Sequence, residues 1–181
     1  LRYNKSLLIG FFIFSLVIFL AVFSPYLTKY DPLKIDVVNR LQLPNNEHLL
    51  GTDELGRDVF TRLLYGTKIS ISVGLVSVSI ALLLGIPLGL FSAYYGKIAD
   101  SVIMRFMDAL AAFPAILLAL AILSVLGPSI HNAMIAIGIV YLPAFSRVIR
   151  GSVLSVKNNE FVHSAKSIGS TNFRILFRTI L

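Results

Sequence analysis

Three long stretches of the chain carry no Asp, Glu, Lys or Arg, and they predict its elements. Ser6 to Thr28 lies between Lys5 and Lys29, Ile69 to Gly96 between Lys68 and Lys97, and Ala109 to Ser146 before Arg147. A bilayer core of about 30 Å takes roughly 20 helical residues, so each of the first two stretches predicts one span. The third is too long for a single helix. Leu126-Gly127-Pro128-Ser129-Ile130-His131-Asn132 interrupts it with turn chemistry and predicts a third and a fourth span. Ser6–Thr28 exceeds a signal-peptide core and has no clear small-residue cleavage site; it reads as a retained helix, which an uncleaved signal anchor would match in sequence. The expected fold is all-α: a polytopic transmembrane helix bundle. It divides into residues 1–68, a first span with a long loop, and residues 69–181, the remaining bundle.

Within the spans, Ser70, Gly74, Ser77, Ala81, Gly85 and Gly89 recur every three or four residues. They form one helical face of small side chains, suited to close helix approach in lipid. It serves as a packed seam or as a seam that slides during gating. Pro87, Pro114 and Pro143 each fall inside a span, where each removes a backbone hydrogen bond and can kink its helix.

Composition agrees with the pattern. Of 181 residues, 56% are hydrophobic and 14% charged, against about 25% charged in an average soluble domain. The mean hydropathy is +0.83. Disorder is excluded, and a soluble globular domain is disfavoured. With no cysteine, disulfides, thiol catalysis and thiolate metal sites are excluded, and His48, His131 and His163 stand too far apart to suggest zinc or haem.

The net charge of +7 has a membrane explanation. Residues 29–68 balance Lys29, Lys34, Arg40, Arg57, Arg62 and Lys68 against an equal number of acids, and the turn at 127–132 carries none. The other flanking segments hold the remaining basic residues with only Asp100, Asp108 and Glu160. All of the excess falls on one side, which predicts a cytoplasmic N-terminus and a cytoplasmic tail from Arg147 onward. Basic residues do not alternate with aromatics as a nucleic-acid groove requires, so no nucleic-acid partner is expected. No G-x-x-x-x-G-K-[ST] loop is present, and no catalytic carboxylate pair is evident. Asp53, Glu54 and Asp58 stand beside Arg57 and read as a self-neutralised surface.

Three segments carry more information. In the first, His48-Leu49-Leu50-Gly51-Thr52-Asp53-Glu54-Leu55-Gly56-Arg57-Asp58, the glycines suggest tight turns and Thr52 a cap. Val59, Phe60, Leu63 and Leu64 then predict a short amphipathic helix on the membrane surface, ahead of the second span. In the second, Arg105 and Asp108 are spaced to pair where the third span enters the membrane; an interfacial ion pair fixing helix depth and a proton relay are the two roles open to it. In the third, Glu160 opens a helix through Ala165 and Ile168. Gly169-Ser170-Thr171-Asn172 reads as a stop, a turn and a new cap. Phe173, Leu176, Phe177 and Ile180, with Arg174 and Arg178, predict a second amphipathic stretch. Such a hairpin either docks a soluble partner or only covers the bundle.

Taken together these segments resemble the inner-membrane permeases of ABC importers, specifically the second, C-type permease of dipeptide and oligopeptide systems. The likeness covers essentially the whole chain. Leu50-Gly51-Thr52-Asp53 with Gly56-Arg57-Asp58 and Arg62-Leu63-Leu64-Tyr65-Gly66 is characteristic of that branch, and Arg105-x-x-Asp108 before Phe113-Pro114 matches as well. The tail is similar to the family's E-A-A-x-x-x-G loop. Ala165 and Gly169 are kept, His163 stands at the glutamate position and Ser164 at the first alanine, and Glu160 matches a glutamate this branch carries three residues earlier. Relatives of this kind continue with a proline and two more spans, so the chain, opening on Leu1 and stopping at Leu181, reads as a fragment or truncated product.

The resemblance implies alternating access between this permease and a second, similar one, in a bacterial or archaeal cell (inner) membrane. The helix at about Asn158–Thr171 would be the coupling helix, docking on two cytoplasmic ABC ATPase subunits through Glu160, His163, Ser164, Ala165 and Gly169. The loop 29–68 would meet an extracytoplasmic solute-binding protein or cap the pathway. No catalysis and no cofactor belong to this chain; ATP and Mg would sit on the partners. Di- and oligopeptides are the expected substrates, with nickel complexes or oligosaccharides as alternatives. A solitary carrier should show ionisable residues in mid-span, and only Asp108, at an edge, comes near that. A membrane anchor or assembly factor is the other rival, and the tail motif argues against it.

Overall fold

The computed structural model describes residues 5–175, without the side chains of His163, Lys166 and Phe173. The helices are α1 (Lys5–Leu27), α2 (Val59–Tyr95), α3 (Lys97–Ala111), α4 (Ala115–Leu126), α5 (Ile130–Val156), α6 (Glu160–Ser167) and the single turn α7 (Asn172–Arg174). Two compact units divide the chain, Leu1–Val73 and Gly74–Leu181.

In the first unit, α1 is apolar on every side. Leu7, Phe11, Phe12 and Phe14 stand exposed, while Ala21 and Ser24 are buried. A helix hydrophobic all round has lipid as its natural solvent. After α1 the chain folds into a loop with one 3-10 turn, Val37–Asn39, and then enters α2.

The amphipathic helix expected at 59–65 does not stand alone. It is the first part of α2, which runs 37 residues without interruption. No proline separates Tyr65 from Ile69, the Thr67 hydroxyl donates back to the Leu63 carbonyl within the helix instead of starting a new one, and Gly66 alone costs only about 1 kcal/mol against Ala. At that length α2 exceeds the roughly 20 residues a bilayer core requires, so part of it projects beyond.

In the second unit the small-residue face packs against α5. Ser77 and Ala81 are buried, and Ser77 Oγ donates to the Met134 carbonyl at 2.9 Å. A Cβ on Gly89 would come within 2.6 Å of the Ser146 carbonyl oxygen, and one on Gly138 within 2.7 Å of Ile80. Backbone therefore lies against backbone, as small residues permit. The face is used only from Ser77 onward: Ser70 and Gly74 are exposed, and nothing lies near Gly74. Below the seam, Leu90, Ala93 and Val153 form a small core with Ile86, Tyr94, Ile149 and Leu154 around it.

The expected third span is broken. Gly96 and Lys97, both at positive φ, break the helix between α2 and α3. The chain then bends by 94° between α3 and α4, at Ala112-Phe113-Pro114. Pro114 has no N–H to donate and disfavours helical backbone in Phe113, so α3 ends and α4 starts afresh. α4 has 12 residues, about 18 Å at 1.5 Å per residue, which cannot cross the core alone. Among the described residues three helices, α1, α2 and α5, are long and apolar enough to span a membrane; α3 with α4 makes a fourth only as a bent pair. The turn before α5 follows its sequence signals: Gly127 takes φ +90°, Ser129 caps α5 by accepting from Asn132 N, and Asn132 Nδ2 donates to the Leu126 and Gly127 carbonyls.

Candidate functional site

The tail folds as a hairpin anchored where α2 ends. At the foot of α5, Lys157 Nζ donates to the Ala93 carbonyl at 2.7 Å. From Glu160, α6 runs to Ser167. Gly169 then adopts φ +81°, and Ser170 N bonds back to the Ala165 carbonyl at 3.1 Å, which closes the helix end. Thr171 caps α7 by accepting from Arg174 N, and Tyr94 Oη donates to Asn172 Oδ1 at 2.7 Å. Val162 and Ile175 are buried and hold the hairpin down. Glu160, Phe161, Ser164 and Ile168 point outward, Ile168 at 83% exposure, and Ala165 is half-buried. The stop, turn and cap read at 169–172 are all present. The His163 side chain, and the stretch expected at Leu176, Phe177 and Ile180, lie outside the described residues.

Two ion pairs join α3 to α5. Asp100 receives Arg150 Nε and Nη2 at 2.6 Å each and also accepts from Ser92 Oγ of α2, so three helices meet at one carboxylate. Asp108 receives Arg147 Nη2 at 2.8 Å. The expected partner of Asp108 was Arg105. That pairing gives way because α5 brings Arg147 alongside, while Arg105 stands exposed. The Asp100–Arg150 pair is about one-quarter to one-third exposed, against about half to two-thirds for Asp108–Arg147. Arg147 also borders a cavity of about 300 Å³ in the elbow, with Leu110, Phe113, Leu118 and Pro143.

The loop motif of the first unit is a scaffold of its own. Thr52 does not cap a helix: its Oγ1 donates to the Asn39 carbonyl and accepts from Gln42 N, stitching two loop segments together. Asp53 accepts from Leu55 N, Arg57 N and Arg57 Nε, and pairs with Arg62. Partial desolvation pushes its pKa up, but the Arg57 and Leu55 amides and the Arg57 guanidinium outweigh that and hold it at about 2. Gly51 and Gly56 take positive φ where a Cβ would strike the Gln42 and Asp36 carbonyls. Asp58 caps α2 by accepting from Thr61 N at 2.7 Å, and meets His48 Nδ1 at 3.0 Å with the Tyr30 ring packed on the histidine. Burial raises the Asp58 pKa; Thr61, by side chain and amide, and His48 pull it below its ordinary value.

Sequence reasoning passed over Asp100, Arg147, Arg150, Lys157 and His48 as site residues. A signal existed for the first: Asp100 and Asp108 are the only acids between Lys97 and Ser146. Nothing in the sequence showed which arginine each would meet.

Comparison with known proteins points in one direction. Residues 85–181 match the family described as binding-protein-dependent transport system inner membrane component, and residues 1–44 match the N-terminal TM domain of oligopeptide transport permease C. A dipeptide transport system permease protein of Alkalihalophilus pseudofirmus is 46% identical over 181 residues, covering 100% of this chain and 60% of the relative. A glutathione transport system permease protein of Pectobacterium atrosepticum is 41% identical over 182 residues, with 100% and 60% covered. A di/tripeptide transport system permease protein of Pseudomonas aeruginosa is 39% identical over 185 residues, with 99% and 61% covered. The chain thus spans about 60% of the length of these relatives.

Proposed function

Because this chain belongs to the family of binding-protein-dependent transport system inner membrane components, we propose that it acts within a permease subunit of an ATP-driven importer of di- or oligopeptides. In this reading it shares the translocation path with a second, similar permease. The loop between α1 and α2 faces outward, toward a solute-binding protein. The α6 hairpin faces the cytoplasm and docks on ATPase subunits, which carry ATP and Mg; this chain has no catalytic role.

One observation carries the reading: α6 presents Glu160, Phe161, Ser164 and Ile168 outward while the hairpin is tied to the end of α2 on either side of it, by Lys157 to the Ala93 carbonyl and by Asn172 to Tyr94. An exposed face on an anchored helix suits a partner that pushes and pulls. Peptides are the favoured substrates because the relatives' names say peptide, dipeptide or glutathione.

Two experiments test this. Gentle detergent extraction of the tagged protein from its own membrane, followed by mass spectrometry, should recover ATPase subunits, a second permease and a binding protein. Recovery without any ATPase across several detergents would remove the docking role. Gly169→Pro demands φ near −65° where the chain needs +81°, and Ala165→Glu puts a charge on the half-buried side of α6. Either variant should reach the membrane and lose at least ten-fold in peptide uptake; wild-type uptake would refute the assignment.

A further inference from the structure

The two ion pairs between α3 and α5 differ in kind. The inner one is bidentate, partly buried and tied to α2 through Ser92. The outer one is a single contact, largely exposed, at the rim of the elbow cavity. An exposed monodentate pair is worth little, about 0–1 kcal/mol. A bidentate arginine–carboxylate pair fixes the relative orientation of two helices as well as their distance. Asp100 therefore holds α3 to α5, and Asp108 adds little.

The position of this tie matters more than its strength. Arg150 lies two turns above the foot of α5, where Lys157 and α6 begin the hairpin. Asp100 lies in the first turn of α3, whose far end is the elbow at Phe113-Pro114. Along the remaining length of α3 only Met107 is fully buried, so apolar packing does little to bind it. A displacement of the hairpin moves α5 directly. α5 itself lines the elbow cavity at Pro143 and Arg147, but the α3 side of the cavity, which carries Leu110 and Ala111, moves with it only if α3 is held to α5.

We infer that Asp100 and Arg150 are positioning residues of transport: their bidentate pair makes α3 a lever that carries movement of the α6 hairpin to the α3–α4 elbow. This rests on the reading of α6 as the docking helix. It adds a specific transmitting contact, one that touches neither substrate nor ATPase.

The sequence offers a clean probe, since it contains no cysteine. Ala111→Cys places a single thiol on an exposed residue lining the elbow cavity. Its rate of modification by a water-soluble maleimide is measured in the assembled complex in proteoliposomes, with other cysteines removed, with and without ATP and vanadate. Uptake per ATP hydrolysed is recorded beside it.

In the parent background the labelling rate should change at least three-fold on trapping. With Asp100→Asn, or with Arg150→Lys, which keeps the charge and loses the fork, that change should vanish. ATP hydrolysis should continue while uptake per ATP falls about ten-fold. The exchanged pair Asp100→Arg with Arg150→Asp should recover part of both, and Asp108→Asn should leave both within two-fold of the parent.

A full labelling response in Asp100→Asn and Arg150→Lys would overturn the inference. So would an exchanged pair that restores protein level but neither readout, because that is the behaviour of a merely structural pair. Failure of the docking reading looks different: the parent complex itself would hold no ATPase and show no ATP-dependent labelling.

Discussion

At the scale of single residues, the loop motif is explained by what each side chain bonds. Asp53 gathers two amides and two arginines, and its carboxyl is held at about 2 against an ordinary 3.8. A depressed carboxylate contributes stability that is fully present above the unfolded value and is lost as pH falls through the folded one. The loop should therefore keep its amide protection down to about pH 4 and lose it between about pH 4 and 2. Hydrogen exchange of residues 36–58 over that range measures this, and Asp53→Asn should weaken the pH dependence in that window, leaving the part that the depressed Asp58 carboxyl carries. Residue-level reading succeeded where geometry is local. The glycines at 51, 56 and 169 all adopt the backbone their turns require. It failed for Asp108, whose partner lies 39 residues on in another helix, and for Thr52, whose partners come from an irregular loop segment with no period to read.

Helices and their pairings form the next scale. The small-residue face was legible because its period is that of a helix, but periodicity does not tell how much of a face finds a partner. Gly89→Ala must displace the Ser146 carbonyl or Ile149, a form of overpacking that costs about 1–3 kcal/mol. Gly74→Ala, with open space around it, should be neutral or slightly stabilising. Thermal unfolding in detergent micelles should show a lower midpoint for the first variant and an unchanged or raised one for the second. Equal midpoints would mean that the α2–α5 seam is looser than described. The broken third span was visible only as a proline. A kink and a 94° bend use the same residue, and what decides between them is the packing of α3 and α4 against α5.

For the molecule as a whole, hydrophobic pattern and charge bias predicted a helical membrane protein with four spans; among the described residues three are single long helices and the fourth is a bent pair. They could not reveal the double tie between α3 and α5, because ion-pair partners are chosen by tertiary approach. The charge bias also makes a prediction about sidedness. If the N-terminus is cytoplasmic, a cysteine at Leu43 should react with an impermeant maleimide in intact cells. One at Ser164 should react only in inside-out vesicles. Reaction of both from one side would reverse the assignment of the hairpin or the loop.

The elbow has a consequence for water. Pro114 brings no capping side chain to α4, whose first amides have no helical carbonyl to bond. Hydrocarbon cannot satisfy them, and every such donor left bare in lipid costs several kcal/mol. The bend can persist at membrane depth only where something polar reaches it. The elbow cavity of about 300 Å³ is open on one side and carries Arg147 at its rim, so water can enter it. The break between α3 and α4 is therefore expected to lie where water or a polar neighbour reaches those amides, and not against bare lipid.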